Sequence, residues 1–189
     1  MVARWIVMSL QFVAALLALT SLLTASSGAF ARDDDRNEND GGKTVLALDL
    51  EYAGPIDEGS VESGSGGAVR LGRRADLIAV SLTGELGGSY HQFSGSPEVQ
   101  AVRGFIGGRL SVAEGIEPGI YAHLGVGRLS VDPGESRTSP TLDAGLFLDL
   151  TILPLVDLGV HAGYDTLLGS GDANAFDYYV VGAHAALVF

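Results

Sequence analysis

From Thr44 to Phe189, apolar side chains recur at every second position, the period of a β-strand with one apolar face. In "TVLALDLEY", Leu46, Leu48, Leu50 and Tyr52 share one face, opposite Ala47, Asp49 and Glu51. "GAVRLGRR" repeats the scheme more weakly, with Val69 and Leu71 against Arg70 and Gly72. "LIAVSLTGELGGSYHQF" sets Leu82, Leu86 and Tyr90 opposite Thr83, Glu85 and Ser89, and "QAVRGFIGGRLSV" sets Val102, Ile106 and Leu110 opposite Arg103, Phe105 and Arg109. In "IYAHLGVGRLSV", Ile120, Leu124 and Val126 oppose His123, while in "TLDAGLFLDLTIL" Leu142, Leu146, Leu148 and Leu150 oppose Asp143 and Asp149. "LGVHAGYDTL" places Leu158, Val160 and Tyr164 against His161 and Asp165. "DYYVVGAHAALVF" places Tyr179, Val181, Leu187 and Phe189 against Val180, His184 and Val188.

These segments predict an all-β fold of eight strands, each of roughly 9 to 13 residues, a length that crosses a bilayer at a tilt. The connections after segments one, three, five and seven are longer and polar, as in "GPIDEGSVESGSGG" and "DPGESRTSP". Those near "RRAD" and "LPLV" are tight, and "AEGIEPG" is intermediate. Long loops on one side and short turns on the other suit an eight-stranded antiparallel up-and-down transmembrane β-barrel.

Two closed barrels fit that strand count, and the faces separate them. A soluble barrel wraps an apolar cavity and shows polar residues to water. Here the apolar faces carry large aliphatic residues, while the opposite faces mix Gly and Ala with charges and His. Eight strands enclose only enough room for side chains, so the small and charged face belongs inside and the aliphatic face outside. Arg128 is the exception, falling on the apolar face near a loop end, where its stem can snorkel.

Composition narrows the partners. Lys+Arg 11 against Asp+Glu 23 gives a formal charge of -12, which lacks the basic stripe that nucleic acid requires. The absence of cysteine removes disulfide and thiolate chemistry. Residues 1-31 read as a signal peptide: Arg4, an apolar stretch from about Trp5 to Leu23, then small residues ending in Ala29-Phe30-Ala31. Processing there would start the mature chain near Arg32. Residues 32-43 read as an acidic disordered linker. Its Asp35-x-Asn37-x-Asn39 opening resembles a calcium loop, but Asp40 and Leu46 stand where that loop needs Gly and Glu. Residues 44-189 form the barrel.

The alternation makes Asp49, Glu51, Arg70, Glu85, Arg103, Arg109, His123, Asp143, Asp149, His161, Asp165 and His184 a luminal polar network. Unpaired charges there would be costly, and neighbouring strands offer Arg70 to Asp49 or Glu51, and Arg103 or Arg109 to Glu85. His123, His161 and His184 come from separated strands without metal-ligand spacing, so they read as packed luminal histidines. His91 lies near a loop with no evident role. No metal or cofactor is expected. Tyr52, Tyr90, Tyr164 and Tyr179 fall on the outer face toward one end, as an aromatic girdle.

The terminal "YVVGAHAALVF", with apolar residues at every second place back from Phe189, resembles the closing strand of Gram-negative outer-membrane proteins. The layout from Thr44 onward resembles the small outer membrane β-barrel domain of the OmpA/OmpX type. That resemblance implies an outer-membrane location among lipid and lipopolysaccharide, and insertion by the barrel-assembly machinery, with Phe189 part of the assembly signal. It also implies a monomer with four short acidic loops outside. The expected role is structural or surface-interactive and not enzymatic. A narrow porin-like conductance is the alternative, and a lipid-modifying enzyme a third. A deacylase of that architecture would carry a His-x-Ser pair, whereas His161 precedes Ala162 and Gly163, and His184 precedes Ala185 and Ala186.

Overall fold

The computed structural model describes residues 42–56, 60–77, 79–112, 115–134, 136–153, 155–169 and 174–189. The expected signal peptide and nearly all of the expected linker lie outside these residues. The strands are β1 (Lys43–Pro55), β2 (Val61–Leu77), β3 (Val80–Gly95), β4 (Glu98–Val112), β5 (Ile116–Asp132), β6 (Ser136–Leu153), β7 (Val156–Leu167) and β8 (Phe176–Val188). Each pairs antiparallel with the next, and β1 pairs with β8, so the sheet closes into an eight-stranded barrel. Closure leaves no open edge of unpaired N–H and C=O groups. The seam runs from Val45↔Val188 to Pro55↔Tyr178. It continues at Phe189, whose N–H donates to the Thr44 carbonyl at 2.9 Å.

Five strands, β2 to β6, exceed the expected length. β2 has 17 residues, β5 17 and β6 18. The polar stretches read as long loops are largely strand: Gly64, Ser65 and Gly66 of β2 pair with Phe93, Gln92 and His91 of β3. The Arg73-Arg74-Ala75-Asp76 stretch, read as a tight turn, likewise belongs to β2. Backbone pairing carries a strand onward after its apolar alternation, the sequence signal of a strand, has faded.

Side chains divide by face as the period of two dictates. Outward-facing Leu50 is 78% exposed, Leu146 65% and Leu124 61%. Arg128 is exposed on that same face, in register between Val102 and Thr138, so it marks no slip. The inward face is layered. At the end away from the start of β1 and the end of β8, the loop end, Phe93, Val99, Ala101, Leu129, Leu167, Phe176, Tyr178 and Val180 form a buried apolar plug. The Phe93 ring meets those of Phe176 and Tyr178 edge-on, each with centroids 5.2 Å apart. A charged layer fills the middle. At the terminal end, Val45, Ala47, Ala186 and Val188 pack beside a second group of ion pairs.

Candidate luminal site

Bulky luminal side chains fit in so narrow a barrel because glycine stands beside them. Each of the four histidines faces a glycine across a strand pair: His91↔Gly66, His123↔Gly107, His161↔Gly182 and His184↔Gly159. The spacing shows why. A Cβ on Gly182 would lie 2.7 Å from His161 Cε1, and one on Gly159 would lie 2.5 Å from His184 Nε2. Alternation of small and large residues is how small barrels fill their interiors.

Arg70 of β2 organises one side of the charged layer. Its guanidinium grips Asp49 of β1 through Nη2 to Oδ1 at 2.8 Å and Nε to Oδ2 at 3.0 Å. Its Nη1 donates to Glu85 Oε2 of β3 at 3.1 Å. His123 then links Glu85 to Asp143, with Nε2 2.7 Å from Glu85 Oε1 and Nδ1 2.6 Å from Asp143 Oδ1. Where both carboxylates are ionised they only accept, and the two ring nitrogens of His123 are placed to donate one to each. Arg103 reaches Asp143 and Asp165. Arg109 lies 3.7 Å above the Phe147 ring centroid, with Nη2 3.3 Å from Asp149 Oδ2.

The opposite side belongs to the remaining histidines. Glu51 bridges two of them, with Oε2 2.6 Å from His91 Nε2 and Oε1 3.0 Å from His161 Nε2. Asp149 Oδ1 is 2.8 Å from His184 Nε2. The Nδ1 atoms of His161 and His184 face each other at 3.3 Å, each 3.9 Å from Asp49 Oδ1. A cavity of about 30 Å³ beside Asp49, Glu51, Arg70, His123 and His161 has room for little more than water.

All twelve residues expected in the luminal network face the lumen, and Arg70 pairs with Asp49 as its neighbouring strand offered, but Arg103 and Arg109 do not pair with Glu85. Glu85 is held by Arg70 and His123, while the nearest carboxylates to Arg103 and Arg109 are on β6 and β7. The lumen is narrow enough for an arginine to reach across it. His91, given no role from the sequence, is buried and bonded to Glu51. A second group was missed: Arg74 bonds Glu117 and Asp76 and lies 3.5 Å from Asp157. These residues sit in stretches read as turns, where no inward phase had been assigned. Of the tyrosines, Tyr52, Tyr164 and Tyr179 are outward and about half exposed. Tyr164 and Tyr179 are register partners, and the Tyr52 and Tyr179 rings lie 6.4 Å apart. Tyr90 stands apart on β3, its hydroxyl donating to Gln92 Oε1 at 3.3 Å.

The same architecture occurs in solved outer-membrane proteins. Neisserial surface protein A superposes with a TM-score of 0.60 at 16% identity, covering 78% of this chain and 99% of that one. The outer membrane enzyme PagL gives 0.55 at 17% identity, covering 73% of this chain and 97% of that one. Ail, the attachment invasion locus protein of Yersinia pestis, gives 0.50 at 15% identity, with 78% and 99% covered. The fold is that of the small outer-membrane barrels. At these identities the likeness is one of fold alone. No protein-family model matches the chain, and no curated protein sequence does.

Proposed function

We propose that this chain is an integral outer-membrane barrel with a structural or surface-interactive role, whose filled lumen neither conducts appreciably nor catalyses. The observation that carries the reading is the inverted distribution of polarity: exposed aliphatic side chains around the outside and buried ion pairs within. In water such a belt would far exceed the apolar patches that soluble monomers tolerate. In hydrocarbon it is the expected surface, and the closed backbone leaves no polar edge against lipid.

The start of β1 and the end of β8 would then lie on the periplasmic side and the loop end outside. Lipid and lipopolysaccharide would surround a monomer inserted by the barrel-assembly machinery. Against conduction stand the apolar plug at the loop end and the ion pairs beneath it. Against lipid chemistry of the kind a lipid-facing His-x-Ser pair performs stands the placement of all four histidines, each buried in the lumen. Their imidazoles cannot reach a lipid acyl ester at the outer surface.

Four measurements test the reading. Purified protein should show heat-modifiable mobility and partition with outer membranes, and planar-bilayer recording should give no steady conductance. Stable open-channel currents from the folded barrel would replace this reading with the pore. A changed lipid A mass spectrum on expression would replace it with the enzyme.

A further inference from the structure

The facing pair of histidines raises a problem of proton accounting. His161 Nε2 contacts Glu51 Oε1, and His184 Nε2 contacts Asp149 Oδ1. An ionised carboxylate offers no proton, so each Nε2 must supply one. In neutral imidazoles that leaves both Nδ1 atoms as bare lone pairs, 3.3 Å apart, with Asp49 Oδ1 completing a triangle of acceptors. A cation between the groups would satisfy all three acceptors.

We propose that Asp49, His161 and His184 form a luminal site for a divalent transition-metal ion of the zinc class. The spacing fits. Tetrahedral ligands at about 2.0–2.1 Å from zinc lie roughly 3.3–3.4 Å from one another, and the two Nδ1 atoms are at 3.3 Å. Asp49 Oδ1, at 3.9 Å from each, is about half an ångström beyond that spacing, a shift its side chain can supply. Two imidazoles and a carboxylate suit a borderline ion better than calcium or magnesium, which prefer oxygen alone.

The surroundings match a metal site beyond the ligands. Metal-bound histidines usually donate their other N–H to a carboxylate, which fixes ring orientation and tautomer. Glu51 and Asp149 are placed to do so. Charge also permits it: the carboxylates Asp49, Glu51 and Asp149 outnumber Arg70 and Arg109 here, and Arg70 is shared with Glu85. Arg70 donates to the same Asp49 oxygen at 2.8 Å, so that carboxylate would be shared between arginine and ion. Register, not sequence spacing, assembles the triad. Asp49 and His184 are direct partners across the β1–β8 seam, and His161 leans in from β7 over Gly182.

The rival occupant is a single proton shared by the two rings. The test uses the whole barrel, stripped with chelator and loaded with Zn²⁺ either during folding or afterward. Bound zinc is measured after desalting, and Co²⁺ serves as a spectroscopic probe of imidazole ligation. We expect about one Zn²⁺ per folded barrel, retained in His123→Gln and lost in His161→Gln and His184→Gln. Glu51→Gln should weaken binding by about 10–100-fold, the usual effect of removing an outer partner. Heat-modifiable mobility scores the folded fraction of each variant, so misfolding is not mistaken for lost affinity. Folded wild-type protein that takes up no stoichiometric Zn²⁺ under either loading overturns the proposal in favour of the shared proton. Equal zinc uptake by a folded His161→Gln/His184→Gln double variant overturns it too.

Discussion

Arg70→Met removes the guanidinium at the centre of the charged layer while keeping most of the stem's volume. Arg70 is 7% exposed, with two bonds to Asp49 and one to Glu85. Truncating one partner of a buried ion pair costs about 3–5 kcal/mol, because the remaining charge stays buried without compensation. Glu85 keeps His123 at 2.7 Å, whereas Asp49 loses its two-pronged partner. The loss should therefore fall near the lower bound, about 3 kcal/mol. The assay is equilibrium urea unfolding of the barrel in detergent with chelator present, followed by heat-modifiable mobility. Adding Asp49→Asn and Glu85→Gln should recover most of the loss, since neutral amides have no charge to strand. Arg73→Met, on the exposed face of the same strand, should change stability by less than about 0.5 kcal/mol. A cost for Arg70→Met below about 1 kcal/mol, the value of a solvent-exposed pair, would refute the idea of a dry, closely coupled lumen.

Other variants probe the remaining surfaces. Leu146→Arg, on the outward face of β6, should destabilise the barrel in lipid by about 2–4 kcal/mol; an unchanged urea midpoint in vesicles would mean that this face does not meet hydrocarbon. Phe93→Ala should cost about 3–5 kcal/mol, since its ring is fully buried between Phe176 and Tyr178; a change within experimental error would show that the plug is loosely packed. Phe189→Ser should slow insertion and leave protein in the periplasm, and unchanged outer-membrane levels after pulse labelling would count against an assembly role.

The direction of each side chain was the most legible property, because the period of two survives without knowledge of any partner. In "TLDAGLFLDLTIL" the phase alone puts Asp143 and Asp149 inside with Leu142 and Leu146 outside, as observed. His91 shows where the reading stopped too early. Carrying the phase of Tyr90 one residue further would have turned that imidazole inward. The reach of β2 into "VESGSGG" was hidden, since those residues have no apolar alternation and are held by pairing with β3. Contacts across the lumen were hidden for a different reason. Arg103 with Asp165, and Asp49 with His161, depend on closure and register, which no single strand encodes. The glycines opposite the histidines look scattered in the sequence and become partners only once the strands are aligned.

A lumen built from ion pairs needs a reason, because an apolar filling of similar volume is often at least as stable. The outer face supplies one. With aliphatic side chains facing lipid, an apolar interior would make the two faces of each strand nearly equivalent, and a register slip of one residue would cost little. The buried charges remove that ambiguity. A slip in β4 would carry Arg103 and Arg109 to the lipid face, at about 2–4 kcal/mol for each that reached the bilayer midplane. It would also bring Val102, Ile106 and Leu110 into a space shaped for guanidinium and imidazole groups beside glycine. The plug and the charged layer divide the work along the barrel axis. Near the loop end, packing of Phe93, Phe176 and Tyr178 closes the lumen. Deeper in, the ion pairs enforce which face is which. The arrangement gives the chemistry-bearing residues inside the barrel a first physical task, to fix the register, and a bound cation would add to it by tying β1, β7 and β8 together across the closing seam.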